Sequence, residues 1–150
     1  MISSSRIGRF LAAAAMSLAV VVAHAAPEIY ADADGAIRGY DPVAYFTAGK
    51  PIKGNKTFQH QWRGATWSFA SAENRDRFAT DPERYAPQFG GYCAFGVANG
   101  YTPAIDPNAW AIVDGKLYLN LNADVQQRWN KDTPAWITKA QANWPKVLAK

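Results

Sequence analysis

The side chains in this chain able to bind a soft metal or attack a substrate are few: one thiol, Cys93, two imidazoles, His24 and His60, and two thioethers, Met1 and Met16. His24 and both methionines fall in an N-terminal stretch expected to be removed, which leaves Cys93 and His60. A soft ion such as Cu(I) prefers thiolate, thioether and imidazole donors. An intramolecular soft site must therefore be Cys93 plus His60, with Asp41, a backbone carbonyl, water or a second subunit as third ligand. A closed zinc site normally takes four nitrogen or sulfur ligands, and one such chain cannot supply them. The same residues provide the parts of a covalent mechanism, with Cys93 as thiolate, His60 as base and Asp41 orienting the ring. Nothing in their spacing brings them together.

Each residue also has a plainer reading. His60 alternates with Phe58 and Trp62, so it shares a strand face with two large rings and reads as a core-facing imidazole. Cys93 lies among Tyr92, Ala94 and Phe95, and free cysteines are commonly buried small hydrophobes. The preceding Gly90-Gly91 allows a sharp turn or a close approach of backbone to another group. That suits a thiol presented at a pocket edge or a loop packed on its neighbour.

Other catalytic patterns fail. Ser68 and Ser71 lie outside any Gly-x-Ser-x-Gly turn, and Ser71 reads as a helix cap. Gly49 to Thr57 approaches a phosphate loop, but Asn55 stands where lysine should follow the glycine. The tryptophans could line a ligand groove, although at strand or helix spacing they read more simply as core.

The N-terminus reads as a cleavable signal peptide, residues 1–25. Arg6 and Arg9 precede an apolar run from Phe10 to Ala23, and Ala23-His24-Ala25 gives small residues before a cut. The apolar run is about 14 residues, short of the roughly 20 that span a membrane. An exported product, periplasmic or secreted, follows. Removing 25 of 150 residues leaves 125, with 14 basic and 12 acidic side chains. That balance argues against a nucleic-acid surface, which needs clustered Lys and Arg. A single cysteine excludes an intramolecular disulfide.

Residues 26–38 read as a polar entry segment, and residues 39–150 as one domain. Phe58 to Trp62 and Trp67 to Phe69 alternate around a turn at Gly64, a hairpin pattern. Ser71 caps a short helix that Asp81-Pro82 ends. A glycine-rich loop from Pro87 to Gly100 leads to a second hairpin, Trp110 to Val113 and Leu117 to Leu121, around Asp114-Gly115. Asp124 is the expected cap of one terminal helix. Thr133-Pro134 is the expected start of another, with Trp136, Ile137, Ala140 and Trp144 on one face. The fold class is α+β: a small antiparallel sheet built from two hairpins, with short helices and a helical C-terminal end.

Tyr40-Asp41-Pro42-Val43-Ala44-Tyr45-Phe46, then Gly64 with Trp67-Ser68-Phe69-Ala70-Ser71, then Phe78 with Asp81-Pro82-Glu83-Arg84-Tyr85, occur in an order and spacing that resemble the YHS domain. Gly90-Gly91-Tyr92-Cys93-Ala94 and the later hairpin extend the resemblance to a longer, exported branch. Short YHS domains are attached to copper-transporting ATPases and other heavy-metal proteins, with cysteines as ligands. The resemblance therefore implies metal handling, with one copper or other transition-metal ion as the cofactor. This chain departs at the short form's cysteine positions, which hold Ala44, Ala70 and Asn74.

Three readings stay open. One is an exported metal-binding module with Cys93 as main ligand and His60 and Asp41 as weaker ones. Another is a thiol-redox or Cys-His enzyme. The third is a metal-free module that docks a partner around Gly90 to Gly100. Expected partners are a metal ion or small ligand, with a protein partner left open, and no nucleic acid and no membrane after signal cleavage.

Overall fold

The computed structural model describes Ser17, Ala19 and residues 24–150. The expected signal peptide, residues 1–25, lies almost wholly outside the described residues.

In chain order, β1 (Ala31–Asp32) and β2 (Gly35–Ala36) lead through a tight turn at Ile37–Gly39 to α1 (Ala44–Thr47). The first main hairpin is β3 (Asn55–Trp62) with β4 (Ala65–Phe69), followed by α2 (Ala72–Thr80) and α3 (Pro82–Tyr85). A turn at Phe89–Gly91 and α4 (Ala94–Ala98) precede the second hairpin, β5 (Asp106–Val113) with β6 (Lys116–Asn120). Helices α5 (Ala123–Lys131) and α6 (Thr133–Asn143) close the fold before a final turn at Lys146–Ala149. The class is α+β. Among the described residues the strands form three antiparallel pairs, and the two main hairpins do not hydrogen-bond to each other. Each carries a bulge, between Asn55 and Gln59 and between Asp106 and Trp110.

The turns follow from their residues. Arg63-Gly64 and Asp114-Gly115 join their hairpins with positive φ at both positions, 47° and 74°, then 51° and 73°. Two left-handed residues match the twist of the flanking strands. Ser71 caps α2 by accepting from the Asn74 N–H at 3.1 Å. The terminal caps lie one or two residues earlier than expected. Asn122, not Asp124, accepts from the Val125 N–H at 2.9 Å. Asp132, not Thr133, accepts from the Ala135 N–H at 3.3 Å. A short amide or carboxylate competes well for that place. Helix α6 ends at Asn143 and Trp144 turns extended, so Trp144 leaves the face it was expected to share with Trp136.

Strand β6 explains how the core is divided. Leu117 and Leu119 point into a cluster with Ile37, Val43, Trp67, Phe69 and Phe78. Tyr118, on the other face, joins Phe89, Val97, Trp129 and Ala140 beneath α5 and α6. Alternation puts successive side chains on opposite faces, so this one strand belongs to both cores. The polar entry segment is also built in, because Ile29, Ala36 and Ile37 are buried in the first cluster. Among the described residues no helix is long and apolar enough to cross a membrane.

Candidate functional site

Asp41 is fully buried, and its carboxylate accepts four hydrogen bonds. Oδ1 receives the N–H groups of Val43 at 2.8 Å and Ala44 at 3.3 Å. Oδ2 receives the Ala70 N–H and the Asn74 side-chain amide, both at 2.8 Å. A buried carboxylate is tolerated when donors surround it. This one ties the start of α1, the end of β4 and the first turn of α2 together. Its acceptor capacity is used within the fold.

His60 lies on β3 opposite Trp67. Its ring meets Phe78 edge-on at 6.1 Å between centroids. It is half-buried on the strand face that carries Phe58 and Trp62, as its alternation with them predicts.

Cys93 is 1% exposed. It stands at the start of α4, where its sulfur accepts from the Gly96 N–H at 3.4 Å. Its S–H donates to Oδ1 of the buried Asn120 at 3.6 Å. That amide oxygen also accepts from the Phe95 N–H at 3.0 Å, and its nitrogen donates to Gln126 at 2.8 Å. Burial pushes the thiol pKa up, and backbone N–H groups, Gly96 first, offset this only in part. A reactive thiol needs the opposite environment, exposed and electropositive. Gly90 and Gly91 bring the loop against its neighbours instead of lifting the sulfur to a pocket edge. A Cβ on Gly90 would overlap the Glu28 carbonyl, and one on Gly91 would press on Ile37.

As a donor set for copper these residues do not fit together. The thiol is engaged with an amide, the imidazole packs on a phenyl ring and the carboxylate is saturated. Among the described residues no group of three or more His, Cys, Asp and Glu could hold an ion.

A cleft opens at a different place on the surface. With a volume of about 300 Å³, it lies between residues 28–29, the Arg63 turn, the segment from Glu83 to Gly90, and the end of α6. Ile29, Phe89 and Trp144 supply apolar wall. Arg63 stands between two carboxylates, donating to Glu28 at 2.9 Å and to Glu83 at 2.5 Å. Its guanidinium lies 4.5 Å from the centre of the Trp62 ring. Gln88 and Gln141 add amides to the wall. Sequence reasoning allows for a tryptophan-lined groove but passes over Arg63. The Arg-Gly dipeptide at the hairpin tip is its one local signal.

Residues 43–89 match the family model of the YHS domain. The match covers α1, the first main hairpin, α2 and α3, with Asp41 and Pro42 just before it. The three positions where the short YHS form has cysteine prove to be neighbours in space. Ala44, Ala70 and Asn74 each donate to the Asp41 carboxylate, so at this place the chain has a hydrogen-bonded knot. The cleft crosses the limits of the YHS match: Trp62, Arg63, Glu83 and Phe89 lie inside it, Glu28 and Trp144 outside. No curated protein and no solved structure matches the chain.

Proposed function

We propose that the protein is an exported, non-enzymatic binding module whose small ligand enters the cleft between Trp62, Arg63 and Trp144. The observation that carries this reading is the cleft itself. Its volume, about 300 Å³, is at the lower end of ligand sites, which run from about 300 to 1,000 Å³ and combine apolar walls with a few polar groups. Three charged side chains meet at its mouth, all at least 42% exposed. Ion pairs so open to solvent stabilise a fold little, which argues that they serve something other than stability. Export is supported by the sequence pattern of residues 1–25. The packed structure also reaches back to Ala26, whose N–H donates to the Leu148 carbonyl at 2.7 Å.

YHS domains are associated with metal handling, and a copper reading of this chain would need Cys93 to leave its pocket. The test sets both readings side by side. Small aromatic and aliphatic fragments, added in an NMR screen, are expected to shift the Trp62 and Trp144 indole signals. Gln141→Trp, which fills the mouth, is expected to abolish those shifts while the melting temperature holds. One equivalent of Cu(I) bound to wild type and lost in Cys93→Ser would overturn this in favour of the metal reading.

A further inference from the structure

We infer that the cleft selects a small organic ammonium ion with an apolar body, an inference that rests on the cleft being a ligand site. Two carboxylates, Glu28 and Glu83, face one guanidinium, Arg63, so the mouth carries one surplus negative charge. Each glutamate spends Oε1 on Arg63. Among the described residues, their Oε2 atoms and the Gln88 and Gln141 side chains have no partner. Free acceptors therefore stand at the mouth on both glutamates and both glutamines, beside the remaining N–H groups of Arg63 and the glutamines. The surplus negative charge makes the acceptors the ones that suit a ligand rich in N–H donors.

The same arrangement disfavours the alternatives. An anion seeking Arg63 would have to displace one carboxylate and sit beside the other. A hard divalent cation takes six or more oxygens, and no group of three acidic or imidazole side chains exists among the described residues. A protonated amine needs only a few acceptors near the mouth, while its carbon skeleton lies on Ile29, Phe89 and Trp144. The tryptophan face adds attraction for a cation. The face of Trp62 is already taken by Arg63, at 4.5 Å, which leaves Trp144 for the ligand.

Three probes that differ only in the head group decide the matter: 2-phenylethylamine, 2-phenylethanol and phenylacetate. Each is titrated into the protein while the Trp62 and Trp144 indole signals are followed. The amine is expected to bind at least tenfold more tightly than the alcohol, phenylacetate most weakly, and added salt to weaken the amine alone. Glu28→Gln with Glu83→Gln is expected to reduce the amine to the affinity of the alcohol. Arg63→Gln removes the same two ion pairs but leaves the carboxylates, so it is expected to tighten amine binding several-fold. Opposite signs in those variants separate charge recognition from a change in folding. Binding of the alcohol or phenylacetate at or above the affinity of the amine would overturn the ammonium inference and leave the ligand cleft standing. If no probe moves either indole signal, the cleft reading itself fails.

Discussion

Cys93 shows what a residue type reveals and what it hides. That a lone thiol flanked by Tyr92, Ala94 and Phe95 would be buried is legible from its neighbours. The partner that fixes its chemistry is not, because Asn120 lies 27 residues away. Burial of Cys93 lowers the reactivity of the sulfur and gives stability a pH dependence. Burial raises the thiol pKa in the folded state above the ordinary value of 9.0. Above that value the unfolded chain binds fewer protons than the folded one, so stability falls with rising pH. The contribution is intact below about 9.0 and is lost as pH climbs through the higher folded value. Urea unfolding at pH 8 and pH 10.5 is expected to show this alkaline loss in wild type and a smaller one in Cys93→Ala. Buried Tyr45, whose phenol is also pushed up by burial, accounts for part of the remainder. Equal slopes in both proteins would remove the thiol from the account.

At the scale of elements, the hairpins were legible because alternation and turn dipeptides are local. Arg63-Gly64 and Asp114-Gly115 need only their own backbone preferences. Helix starts were less so: Asn122 and Asp132 take the caps expected at Asp124 and Thr133, since short polar side chains one or two residues apart compete for the same N–H groups. The knot at Asp41 was hidden for a different reason. Its donors come from α1, β4 and α2, as far as 33 residues along the chain, and a sequence window sees only an Asp before a Pro. As a result Asp41 looked like a ligand candidate, whereas its four bonds make it a junction. Asp41→Asn is nearly isosteric but turns one acceptor atom into a donor. With its nitrogen towards Val43 and Ala44 the new amide would face two backbone N–H groups. Turned the other way it faces the Ala70 N–H and the Asn74 amide, which can flip to accept, so at least one N–H is left without an acceptor. Leaving such a donor unpaired costs about 1–3 kcal/mol, and a loss in that range is expected. Chemical denaturation would measure it, and a change below about 1 kcal/mol, less than one unpaired donor costs, would mean that the carboxylate is not what joins the three elements.

For the molecule as a whole, residues 26–30 hold more together than a polar entry segment suggests. The Tyr30 N–H donates to the Gly90 carbonyl at 2.9 Å, and the Tyr92 hydroxyl to the Pro27 carbonyl at 2.7 Å. With Ala26 bonded to Leu148 and Glu28 to Arg63, this strap touches the glycine loop, the hairpin tip and the C-terminal turn. The glycine loop and the hairpin tip also line the cleft. The sequence shows the apolar pair Ile29-Tyr30 but no periodicity, because a strap packs through single contacts and not through a repeating face. Burying Ile29, 4% exposed, is worth about 1.5–3 kcal/mol, while the exposed Arg63 pairs add little. A chain starting at Ala31 is therefore expected to melt about 6–12 °C lower, at about 4 °C per kcal/mol for a domain of this size. Ile29→Ala should account for most of that loss in scanning calorimetry. The two variants are expected to part in ligand binding: Ile29→Ala loses part of the apolar wall but keeps Glu28 at the mouth, so it binds 2-phenylethylamine more weakly yet measurably, whereas the truncated chain loses binding. Equal retention in both would show that the strap stabilises the domain without building the cleft.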